Sequence, residues 1–143
     1  MDMKVLITID GSDRALRAID AVAGLSQNLA DTEVILLNVR ERAHHYGDFP
    51  PFDAESVEAR QQAAQDDMLQ AAARHAATCG LTRVSHAAAH GVPASEIVRV
   101  ARERAVDQIA MGTHGRTALG GLFLGSVAQR VLHLSETPLL LVK

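Results

Sequence analysis

The chain has 143 residues, which one domain accommodates with a sizeable core. Its formal net charge of −3 argues against nonspecific nucleic-acid binding, because it has no basic excess to displace counterions from phosphates. Aromatic residues make up only 3% of the chain and tryptophan is absent, which argues against a base-stacking platform. We therefore expect no nucleic-acid partner.

The cysteine usage and the N-terminal sequence bear on the compartment. A single cysteine, Cys79, excludes an internal disulfide and fits a reducing environment; we expect it to be a small buried side chain at the end of a helix. The chain begins Met-Asp-Met-Lys and has neither the pattern of a signal peptide nor an apolar run of membrane-spanning length. These features predict a cytoplasmic protein with no membrane partner.

The first half of the chain predicts two buried strands, at residues 4–9 and 34–39, because both are short apolar runs. A helix is expected between them, over residues 13–29. Its apolar face is predicted to contain Ala15, Ala18, Val22, Leu25 and Leu29.

An irregular segment, residues 40–53, follows the second strand and has the length of a lid or a binding loop. Asp53 is a candidate N-cap for a long helix that ends near Cys79, where Gly80 stops it. The buried stripe of this helix is predicted to consist of Val57, Ala64, Met68, Ala71 or Ala72, and Ala76.

The second half continues the alternation of strand and helix. Residues 82–89 predict a third strand near a sheet edge, and Pro93 opens the next helix. A fourth strand is expected at 107–113, a last helix at 126–134 and a fifth strand at 139–142.

Alternating strands and helices with unalternating apolar strands predict an α/β fold, a doubly wound parallel sheet with helices on both faces. Ligands of such sheets bind beyond the carboxyl ends of the strands, where the strand order reverses. The first and fourth strands are the natural neighbours at that reversal. We therefore expect Asp10 and Gly112 to face the same crevice.

Three glycines after the fourth strand form the pattern G-x2-G-x9-G-S, with Gly112, Gly115, Gly125 and Ser126. The glycines are expected to take positive φ and to let the backbone approach an anion, while the following helix start presents free N–H groups. Other phosphate loops are excluded, since the chain has neither G-x-G-x-x-G after the first strand nor a Walker A string.

The glycine pattern resembles that of the ATP-binding branch of the universal stress protein family. Residues 5–12, 34–39, 91–94 and 137–142 are similar to further parts of the family pattern, so that the resemblance covers residues 1–143 as one domain. It implies a Rossmann-like five-stranded sheet of the adenine nucleotide alpha hydrolase type, with strand order 3-2-1-4-5.

The resemblance also implies which residues bind ATP. Ile9, Asp10 and Val39 would contact the adenine and ribose. The phosphates would be bound by Met111, Gly112, His114, Gly115, Arg116, Gly125, Ser126, Val127 and Ala128. Ala128 departs from the family, in which a hydroxyl residue is frequent at this position. Mg²⁺ or Mn²⁺ could arrive with the triphosphate, and the fifth strand, Leu139–Val142, is expected to form a homodimer.

The function that this pattern favours is a nucleotide-dependent regulatory module of the stress response. One alternative is a slow ATPase or autophosphorylating enzyme, but the candidate groups near the γ-phosphate have no evident activating partner, so we expect no catalytic residue. These groups are Asp10, His114, Thr117 and Ser126. Another alternative is a dimeric interaction protein that binds no nucleotide.

The histidines suggest a metal site only weakly. His44 adjoins His45, and His86 precedes His90, but no cysteine or carboxylate completes a convincing set of ligands around either pair. We therefore expect no metal site built by the protein.

Overall fold

A computed structural model describes residues 2–41, 51–113 and 124–143, with the backbone alone for residues 51–54. Five strands and four α-helices alternate along these segments. In chain order they are β1 (Met3–Thr8), α1 (Asp13–Leu25), β2 (Thr32–Arg40), α2 (Pro51–Thr78), β3 (Arg83–His90), α3 (Pro93–Glu103), β4 (Gln108–Gly112), α4 (Ser126–Leu134) and β5 (Leu139–Val142).

The five strands form one parallel sheet in the order β3-β2-β1-β4-β5, which confirms the predicted topology. Strand β1 lies in the middle, where Ile7 pairs with Leu36 of β2 on one side and with Ala110 of β4 on the other. The third strand lies at an edge, as the weak alternation of its sequence predicted.

Successive residues of the central strands pack into two separate cores, one on each face of the sheet. Val5 and Ile7 contact the core that contains α1 and α2, whereas Leu6 belongs to the core that contains α3 and α4. Because both faces are covered, the middle residues of the central strands are apolar and do not alternate with polar residues.

Helix α1 ends at Leu25 and not at Leu29 as predicted. The backbone N–H and the hydroxyl of Ser26 both donate to the carbonyl oxygen of Val22, at 3.0 and 2.7 Å, and this bond closes the helix. The predicted apolar face is therefore wrong at Leu25, whose exposure is 69%. Leu29 starts a single 3-10 turn and still packs against the core.

Helix α2 begins two residues before its predicted cap, so Asp53 lies in its first turn. The buried stripe consists of Gln65, Leu69, Ala72 and Ala76, whereas Val57 and Ala64 of the predicted stripe are exposed. With alanines all around this helix, apolar periodicity could not define its inner face. Although α2 has 28 residues, no helix in the described segments is long and apolar enough to cross a membrane.

Gly80 ends this helical region as the sequence predicted. Its φ is +90°, and the next residue, Leu81, donates its N–H to the carbonyl oxygen of Ala76 at 3.2 Å. A Cβ at Gly80 would lie 3.0 Å from Cδ1 of Leu29. The turn therefore depends on glycine both for its backbone conformation and for its packing.

We predict opposite effects for alanine at two glycines. Gly80→Ala should lower the free energy of unfolding by about 1–2 kcal/mol because the left-handed conformation is unfavourable for a residue with a Cβ. Gly24→Ala is the matched control: no atom lies within 4 Å of its added Cβ, and it should raise stability by about 0.5 kcal/mol through helix propensity. Urea unfolding of both variants measures the difference, and a neutral Gly80→Ala would contradict the assignment of this turn.

Candidate functional site

A cleft of about 570 Å³ opens beyond the carboxyl ends of β1 and β4. Strand β1 leads into α1 on one face of the sheet, and β4 is followed by α4 on the other face. Because α1 and α4 pack on opposite faces, a crevice lies between their starts at the place that the topology predicted. Asp10 and Gly112 both line this cleft, and its volume suits a small organic ligand.

The structure brings together nine of the twelve residues that the sequence marked as a site. These are Ile9, Asp10, Val39, Met111, Gly112, Gly125, Ser126, Val127 and Ala128. The other three, His114, Gly115 and Arg116, lie outside the described residues. These nine residues come from four different elements or their ends.

The turn after β1 is held by its own polar groups. Oδ1 of Asp10 accepts hydrogen bonds from the backbone N–H of Ser12 at 2.9 Å and from its hydroxyl at 2.5 Å. Gly11 between them has a φ of +84°. The Ser12 oxygen also accepts from the N–H of Ala15, at 3.3 Å, and so caps α1. This turn fixes the Asp10 carboxylate at the cleft.

The start of α4 differs from that of α1, because in the described part of the chain no side chain caps it. Gly125 is the N-cap and donates its N–H to the carbonyl oxygen of Thr113 at 2.6 Å. The amides of the first turn that follows are those of Ser126, Val127 and Ala128. An uncapped helix start combines such donors with the positive end of the helix dipole, and so favours an anion.

Ala128 contributes only its backbone to this helix start. Its side chain is 2% exposed and belongs to the core shared with α3. A methyl group in this position packs well but donates no hydrogen bond to a ligand.

The predicted positive φ is wrong for Gly112 and Gly125. Gly112 is still the last residue of β4, paired with Val142, and Gly125 has a φ of −61°. Both conformations are open to residues with a Cβ. A left-handed turn therefore does not require glycine at either position.

A buried polar network forms the wall of the cleft between β2 and α2. The Gln65 side-chain nitrogen donates to Oδ1 and the carbonyl oxygen of Asn38, at 2.9 and 3.1 Å, and to the carbonyl oxygen of Ala89 at 3.2 Å. Asn38 in turn donates to the carbonyl oxygen of Ile9 at 2.6 Å. These bonds tie α2 to the ends of β1, β2 and β3, so the network sets the shape of the cleft.

Sequence reasoning missed this network, although one signal was available. Asn38 interrupts an otherwise apolar strand, and a buried amide in such a position needs partners. The burial of Gln65 could not be predicted in this way, because the sequence of α2 contains many other polar residues near it.

Arg40 forms a second wall of the cleft, and the sequence did not mark it as a site residue. Its side chain is 13% exposed, and its guanidinium binds Oε1 of Glu58 at 2.5 Å and Oε1 of Gln61 at 3.2 Å. It also contacts the ring nitrogen Nε2 of His90. Within the described residues its Nε atom has no hydrogen-bond partner. A largely buried cation thus borders the cleft beside β2.

Known proteins resemble the chain in sequence and in fold. A universal stress protein of Thermus aquaticus is 34% identical over 140 residues, which are 97% of this chain and 97% of that protein. The solved structure of MJ0577, a universal stress protein of Methanocaldococcus jannaschii, superimposes with a TM-score of 0.82 at 31% identity, over 100% of this chain and 96% of the other.

A further solved structure is that of a universal stress protein in complex with cAMP. It has a TM-score of 0.67 and 25% identity, over 99% of this chain and 96% of the other. The model of the universal stress protein family matches residues 1–143. The chain therefore belongs to the universal stress protein family.

Proposed function

We propose that the chain binds an adenine nucleotide, with ATP as the physiological ligand, in the cleft beyond β1 and β4. The observation that carries this proposal is the common position of the Asp10 turn and the uncapped start of α4 on one cleft. The relative solved with cAMP supports the adenine nucleotide class. The choice of ATP rests on the glycine pattern of the sequence.

The phosphates are assigned to the α4 end of the cleft. The amides of Ser126, Val127 and Ala128 would donate to phosphate oxygens, and the Ser126 hydroxyl would add one donor. His114, Gly115 and Arg116 would complete this part of the site. A Mg²⁺ or Mn²⁺ ion would enter with the triphosphate rather than occupy a site of its own.

The adenine and ribose are assigned to the ends of β1 and β2. Ile9 and Val39 offer apolar contact to a purine, and the Asn38–Gln65 network holds both strand ends in place. The Asp10 carboxylate would accept from a ribose hydroxyl or bind the ion that the phosphates carry.

Holding the nucleotide fits this geometry better than hydrolysing it. Oδ1 of Asp10 already accepts two hydrogen bonds from Ser12, so this carboxylate is engaged in the turn. A general base needs an oxygen directed at an attacking water. We therefore propose a regulatory module of the cytoplasmic stress response, whose conformation or partner binding depends on the nucleotide.

We predict that Ser126→Pro weakens ATP binding much more than Ser126→Ala. Proline is well tolerated as the first residue of a helix, but it removes the amide donor that the proposal assigns to phosphate. One charge-assisted hydrogen bond is worth about 1.5–3 kcal/mol, so the dissociation constants of the two variants should differ by about 10- to 150-fold. Calorimetric titration of nucleotide-free protein with ATP, ADP, AMP and cAMP measures this.

Ser126→Ala is the control in this comparison because both variants lack the hydroxyl and only one lacks the amide. Urea unfolding should show that both remain folded. Equal affinities of the two variants would place the phosphates away from α4. If wild-type protein gives no heat with any of the four nucleotides, the proposed function is wrong.

We also propose a homodimer through β5, which the family resemblance implies. This strand lies at the edge of the sheet and all four of its residues are half-buried in the single chain. The carbonyl group of Pro138 accepts from Ile109 of β4, and that of Val142 accepts from Thr113, the residue after β4. The alternate residues Leu139 and Leu141 therefore direct their backbone groups to the open edge. An open edge of this kind can pair with a second copy.

Leu141→Pro is expected to weaken this dimer because it removes an outward N–H without removing a bond to β4. Leu141→Ala is the control, since it loses the same packing against the core but keeps the N–H. Sedimentation equilibrium over a range of concentrations should show a dimer for wild type and the alanine variant, and a shift toward monomer for the proline variant. A monomeric wild type would refute the dimer while leaving nucleotide binding intact.

A further inference from the structure

Three potential metal ligands meet at the carboxyl end of α2, away from the residues predicted as a site. Nε2 of His75 lies 2.7 Å from Oδ1 of Asp20, and Sγ of Cys79 lies 3.3 Å from the same oxygen. The three ligand atoms all lie within 4.8 Å of one another. Asp20 comes from α1, whereas His75 and Cys79 come from the end of α2 and the residue just after it. Two separate helices thus supply a carboxylate, an imidazole and a thiol to one place.

The backbone that carries these side chains is well fixed. His75 and Cys79 are one helical turn apart, and the N–H of Cys79 still bonds the carbonyl oxygen of His75 at 3.2 Å. Residues next to the ligands anchor both helices, since Ile19 and Ala76 are fully buried in the same core. The spacing of His75 and Cys79 places both on one face of the helix, directed toward α1.

We propose that Asp20, His75 and Cys79 bind a zinc ion. Sulfur, imidazole nitrogen and carboxylate oxygen are the ligand types that Zn²⁺ takes in proteins, and three of them leave a fourth position for water. With Zn–S near 2.3 Å and Zn–N and Zn–O near 2.0–2.2 Å, a tetrahedral ion separates its ligand atoms by about 3.3–3.6 Å. To admit the ion, Nε2 of His75 has to move about 0.6 Å away from Oδ1 of Asp20, whereas Sγ of Cys79 already lies 3.3 Å from that oxygen.

Zinc would have to displace a proton from the metal-free cluster. The hydrogen bonds from His75 and Cys79 lower the pKa of Asp20, so its carboxylate is ionised. Desolvation and the neighbouring Asp20 carboxylate raise the pKa of the Cys79 thiol, which keeps its proton. On binding, the S–H bond breaks, the Zn–S bond forms, and the proton passes to solvent. Zinc should therefore bind more tightly as the pH rises.

The zinc site is separate from the nucleotide cleft. Met68 of α2 lines the cleft, and His75 lies seven residues further along the helix, a rise of about 10 Å. An ion here would fasten α1 to α2 on one face of the sheet. The proposal does not rest on nucleotide binding, and its test uses protein freed of nucleotide because a triphosphate would compete for the metal.

The test is a titration of the full chain with Co²⁺ and then with Zn²⁺. One equivalent of Co²⁺ should produce a near-ultraviolet thiolate-to-cobalt charge-transfer band, and one equivalent of Zn²⁺ should abolish it by displacement. Calorimetry in buffers of different ionisation enthalpy should show the release of a proton for each zinc bound. Absence of the band in wild-type protein would overturn the proposal.

Variants show whether zinc binds at this cluster or at histidines elsewhere in the chain. Cys79→Ser should remove the band, and Asp20→Asn should weaken zinc binding at least about tenfold. His133→Ala is the matched control, since His133 is an exposed histidine of α4, and it should change neither result. If Cys79→Ser and Asp20→Asn bind zinc as tightly as wild type, the ion lies elsewhere and the cluster is an ion pair beside a thiol.

Discussion

Strand β1 is the element on which the rest of the structure depends, because it pairs with a strand on each side and packs against helices on both faces. Each of its buried side chains contacts one core or the other, so a shift of one residue would move apolar side chains to the wrong layer. This register also fixes where β1 ends relative to β4. Since α1 and α4, which follow these two strands, pack on opposite faces, the cleft follows from the same pairing that holds the sheet together.

The sequence predicted the strands well, because short apolar runs buried on both faces of a sheet are distinctive. Their order was predicted through the family resemblance, and the sheet has that order. The sequence also predicted that Asp10 and Gly112 would meet, since this follows from topology alone. It failed for the inner face of α2, where alanine occurs on every side and Gln65 replaces the expected apolar residue. A buried glutamine is favourable only because three carbonyl-type oxygens surround it, and those partners become visible only in the folded chain.

The Asp20–His75–Cys79 cluster is a second feature that the sequence did not predict, because its residues come from distant parts of the chain. We expected no metal site because histidines were judged with their neighbours in sequence, and His44, His45, His86 and His90 have no suitable ones. The side chains of Asp20 and His75 do meet, although 55 residues separate them in the sequence. The packing of α1 on α2 brings them together. Cys79 was expected to be a buried hydrophobe, whereas the structure places it half-buried, in contact with a carboxylate.

Arg40 links the first half of helix α2 to the wall of the cleft. Gln65 fastens the helix at its middle to the sheet, and the Gly80 turn holds its far end, while Glu58 and Gln61 in the earlier turns bind the Arg40 guanidinium beside the cleft. One side chain thus touches both the first half of the helix and the wall of the cleft. Loss of that guanidinium would therefore release the Glu58 and Gln61 turns of α2 and alter the lining of the cleft at the same time.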